Sequence, residues 1–370
     1  MVSMQFGVGI LGYGFMGRTH SYAFKIQPFV YNLNITELVA VYGRNEDNVR
    51  NFAKTMGFKT YYVDWKKLID DERVDIVSNC LPPAPHLETS IYTLKKGKHL
   101  ICEKPLARNL EEAKEIAKEA KNAKAKSMIM FNLRFLPSIT KVKEFIEEDV
   151  IGDILHFRMI FDHESHVRPG RLFSWKDDIK ISGGGALLDL GVHLADLIRY
   201  LIGEVKEVFG VTHRYIHKRP LKYDPSKMGE VTIEDLGKVL LRCEGEVLGF
   251  MESSKVSAGQ KNYLNIEIFG TKGAIRWNLM NLDELYVYRI QEDHWERYLV
   301  STLKWPPRGH SMAWLQGHVI GINHFLNCLI HNEDPVPSIE DGVKAQAIIE
   351  AAYLSSKSEK WISVSQLLKI

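Results

Sequence analysis

The sequence predicts an α/β fold in two parts, a doubly wound parallel sheet followed by an α+β domain on one large, mostly antiparallel sheet. Three observations predict it. Over residues 1–130, short continuous apolar runs alternate with helix-like stretches, the signature of parallel strands covered on both faces. Over residues 131–370, long β-rich runs follow one another, divided by turn residues. A length of 370 residues, at about 150 per domain, accommodates the two domains 1–130 and 131–370.

In the first part, residues 6–11, 38–43, 75–81, 99–103 and 127–131 read as buried strands, because each is apolar throughout instead of alternating. The clearest helix begins at 110 and runs to about 124. Asn109 with Glu112 makes a capping-box start, and Leu110, Ala113, Ile116, Ala117 and Ala120 fall on one face. In the second part, strands are expected at 154–161, 205–216, 235–242, 247–255, 264–269, 274–278 and 285–290. Turn signals stand at Glu244-Gly245 and over 270–273. Helices are expected at 186–202, 313–331 and 339–357. The last is capped by Ser338 with Asp341 and is free to pack back on the first domain.

Composition excludes several classes. With 45% hydrophobic and 25% charged residues the chain is an ordinary globular one. Its 48 basic and 46 acidic residues leave a net charge of +2, so no basic field exists for nucleic acid or a lipid surface. No uncharged apolar run approaches the roughly 18 residues of a membrane span. The first apolar run opens at Phe6, too early for a signal peptide. Cys80, Cys102, Cys243 and Cys328 are dispersed, without zinc spacing, which points to free thiols in the cytoplasm.

The strongest local signal is Gly12-Tyr13-Gly14-Phe15-Met16-Gly17, directly after the first strand and opening a helix. Glycines also make ordinary turns, but strand–turn–helix is the context in which this motif cradles a pyrophosphate on a helix N-terminus. A Rossmann-type dinucleotide site is therefore expected. At the tip of the second strand, Gly43-Arg44 offers no acidic group for a ribose hydroxyl. Arg44 can pair with a 2′-phosphate or stack on adenine, while Glu46 or Asp47 can reach back to the ribose. The cofactor is thus NAD or NADP, with the arginine favouring NADP.

Further along, Pro82-Pro83-Ala84-Pro85-His86 and Glu103-Lys104-Pro105-Leu106 stand at the carboxyl ends of parallel strands, where such sheets place ligands. The candidate cofactor contacts are Gly12, Gly14, Phe15, Met16, Gly17, Arg44, Pro82, His86, Glu103 and Lys104. Lys104 can polarise a hydroxyl or can be a surface lysine before a turn, and its bond to Pro105 is a candidate cis peptide. In Gly183-Gly184-Gly185-Ala186-Leu187-Leu188-Asp189-Leu190-Gly191-Val192-His193, Asp189 and His193 stand four apart on a helical stretch. A carboxylate and an imidazole on one helix face suit a general base, and the glycine run lets a ligand or backbone come close.

Together these residues resemble the glucose–fructose oxidoreductase, inositol dehydrogenase and MocA group of NAD(P)-dependent oxidoreductases, over nearly the whole chain. The marks are GYGFMG at 12–17 with Thr19-His20, PPAPH at 82–86, EKPLA at 103–107 and the stretch 183–196. Asn132-Leu133-Arg134-Phe135-Leu136-Pro137 looks like the entry to the family's second domain, and 341–353 like its C-terminal helix. The resemblance implies Lys104, Asp189 and His193 as the catalytic trio, with Arg134 and Trp175 near substrate. It departs from the NAD-preferring pattern at Gly43-Arg44.

The expected activity is hydride transfer between the nicotinamide and a secondary hydroxyl of a sugar or inositol-like polyol, without a metal. Two rivals share the scaffold, a redox-neutral glycoside-cleaving enzyme and a non-catalytic dinucleotide sensor. The sensor predicts a missing lysine or histidine, and both are present. No nucleic-acid or membrane partner is expected. A dimer or tetramer through the second sheet is. His163 with His166, and His213 with His217, lack metal-site spacing and carboxylate partners, although the first pair can still face substrate. Trp305, Trp314 and the aromatics of 286–298 suit packing or subunit contact.

Overall fold

The computed structural model describes residues 5–300 and 315–369. Chain contacts divide them into two units. The first holds the residues up to Ala107, then 111–135 and 315–343. The second holds 108–110, 136–300 and 344–369.

The first unit is built on six strands, β1 (Phe6–Leu11), β2 (Thr36–Tyr42), β3 (Thr60–Tyr62), β4 (Ile76–Asn79), β5 (His99–Glu103) and β6 (Ser127–Met130). All pair in parallel, in the order β3-β2-β1-β4-β5-β6. The order reverses at β1, so its carboxyl end is the switch point where such sheets bind ligands. The glycine turn follows directly. β3 was not expected, because its Thr-Tyr-Tyr is only half-buried at the sheet edge and carries no apolar run.

These units differ from a contiguous division at residue 130: 108–110 fall in the second, and 131–135 and 315–343 in the first. Helix Leu315–His331 belongs to the first unit, where Val319, Ile322, Phe325 and Leu326 join Val8, Ile10, Phe24, Val41 and Met128 in one buried cluster. Helix Ile339–Ser358 follows the expected span, and its cap is reciprocal. Ser338 N–H donates to Asp341 Oδ2 at 2.8 Å, and Asp341 N–H donates to Ser338 Oγ at 3.3 Å.

The second unit holds β7 (Ile154–Asp162), β8 (Val205–His213), β9 (Lys218–Pro220), β10 (Met228–Glu230), β11 (Leu236–Cys243), β12 (Leu248–Ser254) and β13 (Tyr263–Gly270). β14 (Gly273–Asn278), β15 (Glu284–Arg289), β16 (His294–Leu299) and β17 (Ile362–Ser363) complete it. Nine of these form one sheet in the order β16-β15-β14-β13-β7-β12-β11-β8-β17, and β9 with β10 makes a separate ladder. Among the described residues only β7 and β12 pair in parallel there, so the sheet is mixed and mostly antiparallel. Alternation along β11 buries Gly237, Val239, Leu241 and Cys243 and turns Lys238, Leu240 and Arg242 to the other face.

The helix expected at 186–202 is a π-helical turn at Leu187–Gly191 running into the helix Val192–Leu201, and a separate first piece, the helical turn Ile179–Ser182, precedes it. Gly183, at φ +81°, ends the first piece. Ile179–Leu201 is long and apolar enough to cross a bilayer, but 83% of its most apolar window is buried inside the fold, as a core helix is. Trp305 and Trp314 lie outside the described residues.

Candidate active site

In the first unit, Gly12 N–H donates to Tyr42 O at 3.0 Å, and Gly12 adopts φ +100°, which only glycine holds without strain. A side chain at Gly17 would put its Cβ 2.0 Å from the Gly12 carbonyl oxygen, so the turn and the helix close on each other only with glycine there. The helix Phe15–Lys25 starts from Gly14 with no side-chain cap. A Cβ at Gly14 would meet nothing within 4 Å. An uncapped helix start beside open space fits a pyrophosphate, whose charge the exposed backbone N–H groups would meet. Phe15 is exposed and Met16 half-buried beside it.

At the tip of β2, Arg44 is exposed. Glu46 and Asp47, on the helix that follows, face Arg50. Arg50 donates to Glu46 Oε1 at 2.7 Å and to Asp47 Oδ1 at 3.2 Å. After β4, Pro82 opens a helix and His86 is wholly buried within it. His86 Nε2 meets Leu81 O at 2.8 Å, and Nδ1 lies 3.1 Å from Pro105 O, so the ring ties the ends of β4 and β5 together. Burial pushes its pKa down.

Glu103 ends β5 with 4% exposure, and the Lys104–Pro105 bond is cis, as expected. One Glu103 oxygen lies 2.9 Å from His20 Nε2, and the other accepts the Lys104 N–H at 3.2 Å. Burial opposes charge on both partners. Cys80 and Glu103 beside the His20 ring nevertheless raise its pKa to about 10, and His20 and His318 hold Glu103 below the usual carboxylate range. Arg134 is 8% exposed and donates to Asp341 Oδ1 at 3.4 Å.

In the second unit, Asp189 stands on the π-helical turn and His193 on the helix that follows. Asp189 Oδ2 accepts from Lys255 Nζ at 3.0 Å and from Lys176 Nζ at 3.1 Å. Lys255 is 3% exposed, and burial lowers its pKa despite the carboxylate beside it. The His193 ring, almost buried, packs 5.9 Å from Phe161, and the His163 ring lies 5.6 Å from the same phenyl. His163 Nε2 meets Asn262 Oδ1 at 2.7 Å, and burial lowers its pKa while Asp189, Lys176 and Lys255 all act on it. Trp175 is 40% exposed beside Lys176.

The glycine run before Asp189 is used by the protein itself. A Cβ at Gly185 would fall 1.9 Å from the Glu234 carbonyl oxygen, and Glu234 Oε2 accepts the Gly185 N–H at 2.9 Å. His166 differs from expectation too, since it has a carboxylate partner. Its Nδ1–H donates to buried Asp235 at 2.5 Å, while Asp235 Oδ2 accepts from the Tyr215 and Ile216 amides at 2.7 and 2.8 Å.

Residues 6–131 match an oxidoreductase family in its NAD-binding Rossmann fold, and residues 143–364 match the same family's C-terminal alpha/beta domain. The chain belongs to the Gfo/Idh/MocA oxidoreductase family. It is similar to a levoglucosan dehydrogenase from Pseudarthrobacter phenanthrenivorans, 30% identical over 97% of this chain and 98% of that one. A myo-inositol 2-dehydrogenase from Thermotoga maritima is 28% identical over 98% and 99% of the two chains. A solved levoglucosan dehydrogenase, in complex with NADH and L-sorbose, superposes with a TM-score of 0.94 at 31% identity, over 99% of this chain and 100% of that one.

This Gfo/Idh/MocA chain is an enzyme, an oxidoreductase with an NAD-binding Rossmann domain. Its second unit gathers Asp189, His193, His163, Lys176 and Lys255 around Phe161 and the π-helical turn. Sequence reasoning missed both lysines. Lys176 is one charge in a polar turn, and Lys255 follows an ordinary strand, so neither carries a local signal.

Proposed function

We propose that the chain is an NAD(P)-dependent dehydrogenase that oxidises a secondary hydroxyl of a sugar or polyol, reversibly. The observation that carries this reading is the Asp189 carboxylate, held between Lys255 and Lys176 on the turn that leads into His193. Two ammonium groups flank that carboxylate, and a carboxylate on the turn leading into the helix of an almost buried imidazole is what a general base requires. His193 takes the hydroxyl proton, Asp189 supports the imidazolium, and Lys104 offset the charge growing on the substrate oxygen. A bound nicotinamide would supply the hydride acceptor, so that a substrate giving its hydroxyl proton to His193 and its carbinol hydride to the cofactor would become a ketone. Arg134 and Trp175 are proposed near substrate, although the ion pair of Arg134 with Asp341 leaves it little exposed.

Residues 1–130 are proposed to hold the dinucleotide and 131–370 the substrate, with helix Leu315–His331 completing the first unit. Gly12, Gly14, Phe15, Met16 and Gly17 would meet the pyrophosphate. Pro82, Glu103 and Lys104 would line the strand ends, with His86 acting through the loops that it ties. Because Glu46 and Asp47 are engaged by Arg50, Arg44 would meet the adenosine ribose, and a 2′-phosphate suits it. NADP is therefore proposed as the preferred cofactor.

The open face of the nine-stranded sheet would make a dimer or tetramer. Phe209, Leu240 and Phe250 stand side by side across β8, β11 and β12 on that face. Four free thiols suit the cytoplasm. The relatives above are dehydrogenases, and no feature of the site favours a glycoside-cleaving enzyme or a sensor. The test is a panel of sugars and polyols with NAD and NADP, followed by the absorbance of reduced nicotinamide. Turnover of one compound supports the reading, and product release from a glycoside without net cofactor reduction would replace it.

A further inference from the structure

Inside the first unit lies a buried polar cluster drawn from three distant parts of the chain. His20 comes from the helix that opens at the glycine turn, Glu103 from the end of β5, and His318 from helix Leu315–His331. Their exposures are 0%, 4% and 1%. Glu103 Oε1 lies 2.9 Å from His20 Nε2 and 3.7 Å from His318 Nε2, while Oε2 accepts the backbone N–H of Lys104 at 3.2 Å. His20 Nδ1 faces Ser78 Oγ on β4 at 2.7 Å. The two imidazoles meet edge to face, 5.6 Å between centroids.

A buried carboxylate is costly unless its lone pairs are met by donors. Here the donors are the His20 imidazole and the amide of the residue that follows, with His318 Nε2 at 3.7 Å, so the orientation of Glu103 fixes the peptide from which the Lys104 side chain departs. We propose that His20, Glu103 and His318 form a positioning network for Lys104, in which His20 and His318 flank one carboxylate oxygen and the Lys104 amide holds the other. The inference rests on the proposed role of Lys104 in hydride transfer.

The three ligand atoms lie within 4.8 Å of one another, which is also the spacing of a metal site. Hydrogen bonding accounts for the cluster better, because both His20 nitrogens already face oxygen partners and Glu103 Oε2 is engaged by an amide. The Lys104 charge also bears on His318, so the ring and the lysine are electrically close.

The experiment compares His318→Gln, which keeps a side-chain donor, with His318→Leu, which does not, alongside Glu103→Gln and Lys104→Met. Dinucleotide affinity, sugar KM, kcat and melting temperature are measured on each full-length protein. The expected result is a loss of about tenfold or more in kcat for His318→Leu and Glu103→Gln, with affinity and KM nearly unchanged and substantial recovery in His318→Gln. Equal losses in His318→Gln and His318→Leu that track melting temperature would make the cluster packing alone and overturn the proposal. Full activity in the His318 and Glu103 variants beside an inactive Lys104→Met would overturn the network and leave the lysine's role standing. Normal turnover in Lys104→Met would instead sink the role on which the network rests. Stoichiometric zinc in the purified protein, bound through these side chains, would overturn it in favour of a metal site.

Discussion

At the scale of single residues the candidate chemistry divides between groups with a visible signal and groups without one. Asp189 and His193 are legible because four-residue spacing on a helix is a pattern. Lys255 is not, because only the tertiary fold brings the end of β12 to that carboxylate. His193→Ala should lower kcat by about 10²–10⁴-fold with dinucleotide affinity intact. Lys104→Met should cost at least as much, and the double variant far less than the product of the two. Near-normal turnover in His193→Ala would move the base to His163, whose ring shares Phe161. Arg44→Ala should weaken NADP more than NAD by about 1–3 kcal/mol, read by titration with each cofactor. Equal weakening would reduce Arg44 to stacking on adenine.

At the scale of elements, β1 and β5 match the sequence reading residue for residue, because a buried parallel strand is an uninterrupted apolar run bounded by polar residues. β3, β9, β10 and β17 are three residues or fewer, and β16, His-Trp-Glu-Arg-Tyr-Leu, is largely exposed, so hydrophobic pattern could reveal none of them. The segment after β7 is held by His166 on Asp235, and burial first of all lowers the histidine's pKa to about 4, with Lys255 and Arg171 adding to it against Asp235. The unfolded chain, with a histidine near 6.5, takes up that proton earlier than the folded one. Stability from this group is therefore complete above pH 6.5 and is lost as pH falls toward 4. Melting temperature against pH should drop across that window, and His166→Gln should flatten the drop. An equally steep curve in His166→Gln would assign the loss to other groups.

At the scale of the whole molecule, the sequence conveys the two architectures and their order along the chain but not which late helix completes the first. Helix Leu315–His331 is apolar on several sides and gives no sign of the sheet it will cover. The exposed sheet face likewise shows its chemistry only once the register is known. Then Leu240 stands opposite Phe209 on one side and Phe250 on the other, with Lys238 paired to Glu252 and Arg242 to Glu207 around them. A face of this kind suits self-association. Sedimentation should give a dimer or tetramer, and Leu240→Glu should shift it toward monomer without loss of secondary structure. A native monomer at micromolar concentration would refute this assembly.

That late helix also makes the nucleotide half depend on a segment translated long after its own strands. Its side chains close the apolar centre beneath β1, and it carries His318, so the nucleotide half lacks both until residue 331 has been made. A ribosome-bound chain arrested near residue 300 should fail to retain dinucleotide, whereas one carried to its end should bind it. Retention by the arrested chain would refute that dependence. A chain stopped before that helix leaves Val8, Ile10, Phe24, Val41 and Met128 without the partners that bury them.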